Sequence, residues 1–322
     1  MGGKGKLKRR FNALKEYGVN LIALSILTGL FSGAVVTLYN IVTGIGEEVS
    51  AELYAKIVQN PAFIPLLFLG LSAGALVIGT ATRLIPMIRG SGVPQIEGAA
   101  RGILHFKWYA VMCSMFAASV LCVFMGLPAG SEGPSLQIGG CAGDAVGTTF
   151  RRSLMVRRLQ IAAGASAGLA AAFNAPVTGL VFAMEEAFRS FSAQVFTCSA
   201  ISVLVSVTVR NLMRSAMGFS AGFTFTAFQF SPMEPIGYLY TAVAALCAAL
   251  LGVAFYHLML LCRRGLSKIT FFKGAGRYII PFFAAGAFGL ISVYAMGGGH
   301  EFIQSLGSLH EGEFERIFGI SV

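Results

Sequence analysis

Long apolar runs constrain this chain more than any other feature, and they fall at 19–42, 65–85, 108–126, 161–188, 195–209, 236–261 and 278–296. A helix needs about 20 residues to cross the hydrocarbon core of a bilayer, so the pattern predicts many crossings. With 56% hydrophobic residues, only 12% charged ones and a mean hydropathy of +0.74, the chain is too apolar for an ordinary soluble domain. None of the runs alternates apolar and polar residues at period two, as strands facing both lipid and lumen must, which argues against a β-barrel. The expected fold class is an all-α integral membrane protein, a multi-pass helical bundle.

Charge sets the expected orientation. Lys4, Lys6, Lys8, Arg9, Arg10 and Lys15 precede the first run, which by the positive-inside rule predicts a cytoplasmic N-terminus in the cell (inner) membrane. That run is too long for the core of a signal peptide and lacks a small-x-small cleavage site, so it reads as a retained helix. The net charge of +10 does not call for nucleic acid. Its other concentrations, such as Arg151, Arg152, Arg157 and Arg158, lie between apolar runs, where anionic lipid headgroups are the simpler partners. The same clusters can draw anions towards a pore mouth.

Six cysteines (Cys113, Cys122, Cys141, Cys198, Cys247 and Cys262) stand singly in or beside apolar runs and read as small buried hydrophobes. Without a C-x-x-C pair, an H-E-x-x-H sequence or close Cys/His spacing, no metal site and no cofactor is expected.

Glycine divides into two uses. Residues 162–172, almost all Ala and Gly, form a small-residue surface that lets membrane helices approach closely. Elsewhere glycine interrupts the apolar pattern: Gly90-Ser91-Gly92-Val93-Pro94, Gly130-Ser131-Glu132-Gly133-Pro134 and Gly297-Gly298-Gly299. Proline suits the first turn of a helix, where its missing N–H has no partner to lose. New helices are therefore expected to open at Pro94 and Pro134. A helix start presents unpaired N–H groups and a partial positive charge, so two aimed at one point can hold an anion. Broken helices of this kind build the binding sites of many transporters. Read alone, either break could equally be a tight turn at the membrane surface.

Taken in order, the motifs resemble those of the CLC family of chloride channels and proton-coupled chloride antiporters. The family's G-S-G-I-P and G-R-E-G-P are followed by an alanine-rich helix ending in F-N-A-P and then by a glutamate pair. Here they are matched by residues 90–94, residues 130–134, Phe173-Asn174-Ala175-Pro176 and Glu185-Glu186, with Val93 and Ser131 as the two substitutions. Gln95-Ile96-Glu97-Gly98-Ala99 and Ser135-Leu136-Gln137-Ile138-Gly139-Gly140 extend the agreement, which covers roughly residues 24–303.

The resemblance implies a CLC-type inverted-repeat bundle with broken helices. It implies residues 1–17 as a basic cytoplasmic segment, 18–216 as the first membrane repeat and 217–322 as an incomplete second one. Ser91, with Gly90, Gly92, Val93, Gly130 and Gly133 around it, would bind the anion. The serine at this position points to chloride, since fluoride- and nitrate-selecting branches replace it. Glu132 resembles the external gating glutamate, and Glu186 the internal proton-transfer glutamate that marks antiporters; Glu185 is a secondary proton donor. On position alone, both glutamates at the end of an apolar helix would mark the water interface.

Physical chemistry supports such a role for Glu132. An apolar setting favours a neutral carboxyl, helix N–H groups favour the ionised one, and a nearby anion tips the balance back to the proton. Chloride and protons are thus the expected transported ions, membrane lipids and a second copy in a homodimer the expected partners. Two departures qualify the match. Ser131 removes the positive charge that usually precedes the gate, and the family's later G-x-F-x-P motif and inner-gate tyrosine have no counterpart. The second repeat therefore reads as truncated, which suggests a fragment, a frameshifted or naturally shortened member, or a chain needing a complement. A passive channel of the same fold is the alternative. An intramembrane hydrolase using Ser91 or Ser131 is remote, because neither serine has a His or Lys base in a recognisable motif.

Overall fold

Ten α-helices order the chain in a computed structural model that describes residues 2–187, 192–219, 235–268 and 274–299. They are α1 (Gly2–Gln59), α2 (Ile64–Leu84), α3 (Val93–Ala100), α4 (Trp108–Phe124), α5 (Glu132–Thr149), α6 (Leu154–Phe173), α7 (Pro176–Phe182), α8 (Ala193–Ala216), α9 (Pro235–Lys268) and α10 (Ile279–Ile291). Among the described residues there is no β-strand. One compact unit holds α1 to α8 together with α10; α9 belongs to a second.

Among the described residues, four helical segments are long and apolar enough to cross a membrane: Gly18–Gln59, Pro61–Leu84, Ala193–Ala216 and Pro235–Gly265. The run expected at 161–188 is not one span. It breaks at Asn174, whose left-handed backbone (φ 53°) ends α6, and Pro176 then opens α7. Phe188 lies outside the described residues. The break follows from the sequence, since Asn tolerates φ > 0 and Pro starts helices but cannot continue them.

The centre of the first unit is a crossing of α5 and α6 made by glycine. A methyl added at Gly164 would strike the carbonyl oxygen of Gly139, and one at Gly139 that of Gly164; Gly143 meets Gln160 and Gly168 meets Ser135 in the same way. Backbone therefore rests on backbone, as expected for residues 162–172. On α5, every residue from Pro134 to Gly147 is buried. Small polar side chains bind α1 and α8 to this pair and to each other. Ser32 Oγ donates to Gly164 O (3.0 Å), Thr28 Oγ1 to Gln160 Oε1 (2.7 Å), Ser202 Oγ to Ser25 O (2.8 Å) and Ser206 Oγ to Ala167 O (2.9 Å). In hydrocarbon such bonds supply cohesion that apolar contact between helices cannot, because lipid offers the same contact.

The cysteines only half match their expected burial. Cys141 and Cys198 are buried and Cys122 is partly so, whereas Cys113, Cys247 and Cys262 are exposed. On a membrane helix an exposed thiol costs little, because the outer face meets lipid rather than water.

Candidate anion site at two helix starts

Both Gly-x-x-x-Pro breaks are loop-to-helix junctions, each opening slightly earlier than proline alone suggests. Before α3, Gly90 (φ 82°) and Gly92 (φ 85°) turn the chain through left-handed conformations that only glycine adopts cheaply. Gly92 is the residue that caps α3, and no side-chain hydroxyl bonds its first turn. Ser91 therefore precedes the cap and is exposed, so its hydroxyl does not serve as the cap of α3. Helix α5 begins at Glu132, two residues before Pro134, which puts the carboxylate in the first turn, where a helix favours negative charge.

The structure brings the two junctions into contact. A methyl on Gly133 would collide with the carbonyl oxygen of Ser91, and one on Gly92 would lie 2.9 Å from both Gly133 O and Gln137 Oε1. Gly90, Ser91, Gly92, Val93, Gly130, Glu132 and Gly133 thus gather where two helices begin. Glu132 is half-buried, and its Oε2 lies so close over Gly130 that a side chain there would overlap it. Nearby on the same elements, Ser135 Oγ donates to Asn40 Oδ1 at 3.3 Å, which fixes the first turn of α5 against α1.

Sequence reasoning missed the clamps that hold this arrangement. Gln137 is 1% exposed and donates through Nε2 to Met87 O (2.7 Å), while Gln95 Nε2 donates to Arg89 O. One amide from each helix thereby grips the loop that carries Ser91. The available signal was spacing: Gln137 falls one turn after Gly133, on the face that meets the other break.

Glu185 and Glu186 are not part of this cluster. Both are exposed, in a π-helical turn (Ala183–Ala187) that follows α7; such turns recur at functional sites. Ala183 of that turn is buried with Leu21, Val146, Val156 and Val195. Along α5, Val146 is fourteen residues from Glu132, or about 21 Å at the helical rise. Helix α3 spans part of the gap, since Phe182 packs with Ile96, Ala99 and Ala100.

Two of the four arginines expected to face lipid headgroups have protein partners instead. Arg157 donates from Nε and Nη2 to Asp144 Oδ1 (2.9 and 2.7 Å), and Asp144 is 2% exposed. Arg158 donates to the carbonyls of Ala100 and Arg101 at the end of α3. The third glycine run also finds a use: Gly298 N donates to Glu47 Oε1 at 3.1 Å, with Gly297 and Gly299 in left-handed turns. Among the described residues no group of three His, Cys, Asp or Glu side chains could hold a metal.

What two helix starts and one carboxylate can do is hold a single negative charge, either the side chain's own or that of a small anion. Residues 73–315 match the family model described as voltage gated chloride channel. The H(+)/Cl(-) exchange transporter ClcA of Vibrio cholerae serotype O1 is 29% identical over 296 residues, covering 89% of this chain and 62% of that protein. This chain thus spans less than two thirds of that relative's length. A slow cyanobacterial Cl-/H+ antiporter shares the fold with a TM-score of 0.76 at 22% identity, covering 90% of this chain and 68% of the other. A CLC-type fluoride/proton antiporter does so with a TM-score of 0.67 at 18% identity, covering 85% and 65%. With three quarters of its length inside the family match and its motifs folded into paired helix starts, the chain belongs to the voltage gated chloride channel (CLC) family.

Proposed function

We propose that this chain carries chloride across a membrane in exchange for protons, with Glu132 as the gate. The observation that carries the reading is the contact of the two breaks, Ser91–Gly92 against Gly133, with a carboxylate in the first turn beside it. An ionised Glu132 competes with chloride for the N–H groups of α5; a protonated one gives them up. Arrival of the anion and uptake of the proton are then one event.

Glu186 supplies protons from the other end of α5, with Glu185 as a secondary donor. Their exposure suits exchange with water. That end also carries Arg151 and Arg152 between α5 and α6, and the basic residues 4–15 belong to the first turns of α1. By the positive-inside rule it faces the cytoplasm of a cell whose inner membrane holds the protein. The protein works as a homodimer, a proposal that a monomeric mass in mild detergent would remove. Because the chain spans 62% of its relative's length, whether it conducts alone is the first thing to measure. The relatives are named as transporters, which leaves the hydrolase reading without support.

The test is the reversal potential of the purified full chain in planar bilayers under opposed chloride and pH gradients. Exchange predicts a potential that moves with the pH gradient at fixed chloride. A potential set by chloride alone would replace antiport with a passive channel.

A further inference from the structure

An eight-residue helix packed against others has few bonds of its own, and both its ends must be satisfied by something else. In α3 the accounting closes on one side chain. Gly102 (φ 75°) follows the last turn and allows a reversed cap, in which Gly102 N bonds Ala99 O (2.9 Å) and Ile103 N bonds Gly98 O (2.8 Å). Arg101 N takes Glu97 O (3.0 Å). Two carbonyls remain, those of Ala100 and Arg101, and Arg158 of α6 takes both, through Nε (2.9 Å to Ala100 O) and Nη2. A methyl on Gly102 would stand 2.9 Å from the guanidinium carbon and push it aside, while the left-handed backbone there favours glycine in its own right.

Resting on the functional reading above, we propose that Arg158 is a positioning residue for the anion site at the opposite end of α3. Two effects combine. A positive charge on the terminal carbonyls offsets the negative end of the helix dipole, which leaves the positive end at Val93 less opposed. The guanidinium also ties α3 to α6, which is interlocked with α5. Because α5 already meets the start of α3 through Gly133 and Gln137, the short helix is held at both ends by one rigid pair. A guanidinium presents its donors in one rigid plane that suits two successive carbonyls, whereas an ammonium is a rotating point charge on a flexible stem, so lysine is a poorer substitute. The helix is about 12 Å long at the usual rise, and no contact between Arg158 and the anion is needed.

The test compares the full chain with Arg158→Lys, Arg158→Gln and Gly102→Ala, reading two quantities. These are the chloride concentration giving half-maximal flux into proteoliposomes, and the rise in thermal midpoint produced by chloride in detergent. Arg158→Gln is expected to raise the half-maximal concentration roughly threefold to thirtyfold while most of the maximal flux survives. Arg158→Lys should fall between it and the parent, and Gly102→Ala should resemble Arg158→Gln because it displaces the guanidinium. Should Arg158→Gln fail to fold, Lys and Gly102→Ala still give the ordering. An Arg158→Gln chain with the parent's chloride dependence in both assays would overturn the inference while leaving the function standing. A parent chain that chloride neither stabilises nor crosses would overturn the function, and this inference with it.

Discussion

Gly133 does more for the site than its size suggests. It lets the start of α5 touch the carbonyl of Ser91, so the two helix starts can address the same small volume. Adding one methyl pushes them apart. Gly133→Ala is expected to cost at least tenfold in chloride affinity, read from the concentration dependence of flux, because donor geometry at an anion degrades quickly with distance. An unchanged half-maximal concentration would mean that the contact is incidental. The motifs around Gly92, Glu132 and Gly133 were legible in the sequence because the residue types themselves carry the requirement: φ > 0, close approach and a charge where charge is costly. The clamping roles of Gln137 and Arg158 were not legible. Their work is done against backbone atoms far along the chain, Met87 for Gln137 and Ala100 for Arg158, and no local pattern announces a partner fifty or more positions away.

At the scale of elements, the α5–α6 crossing decides whether the site exists at all, since it carries both Glu132 and Arg158. Hydropathy located residues 161–173 as a membrane segment, and small-residue content gave its packing. What hydropathy could not give was the division at Asn174, because 161–188 is apolar on both sides of the break. The crossing itself makes a sharp prediction. Gly164→Val forces a side chain into the backbone of Gly139 and Gly143 and should destabilise the bundle by about 2–4 kcal/mol. Thermal unfolding in detergent would show a lowered midpoint, with chloride-driven flux lost in proportion to the folded fraction. The same change at Gly70, where an added Cβ would meet nothing within 4 Å, should leave the midpoint within experimental error. Equal effects at the two positions would remove the crossing from its central role.

For the whole molecule, Glu132 and the turn that carries Glu185 and Glu186 are set apart: Ala183 of that turn packs with Val146, which lies about 21 Å from Glu132 along α5. Under the function proposed above, chloride entering from one side and protons from the other would meet at Glu132. The spans expected from hydropathy gave the membrane class, and the motif order gave the family. The meeting of α3 and α5 needed three-dimensional structure, because the 39 intervening residues between Gly92 and Glu132 include α4 and fix no geometry by themselves. The claim on which everything else depends is that one carboxylate alternates with chloride and carries the proton. Glu132→Gln keeps the shape of the protonated side chain but cannot release a proton. The decisive measurement records chloride efflux and proton uptake together in proteoliposomes loaded with chloride, for the parent chain and for Glu132→Gln. We expect the parent to move both ions, and the variant to keep chloride efflux while proton uptake falls to background. Proton uptake that persists in Glu132→Gln at the parent's ratio to chloride would contradict the account.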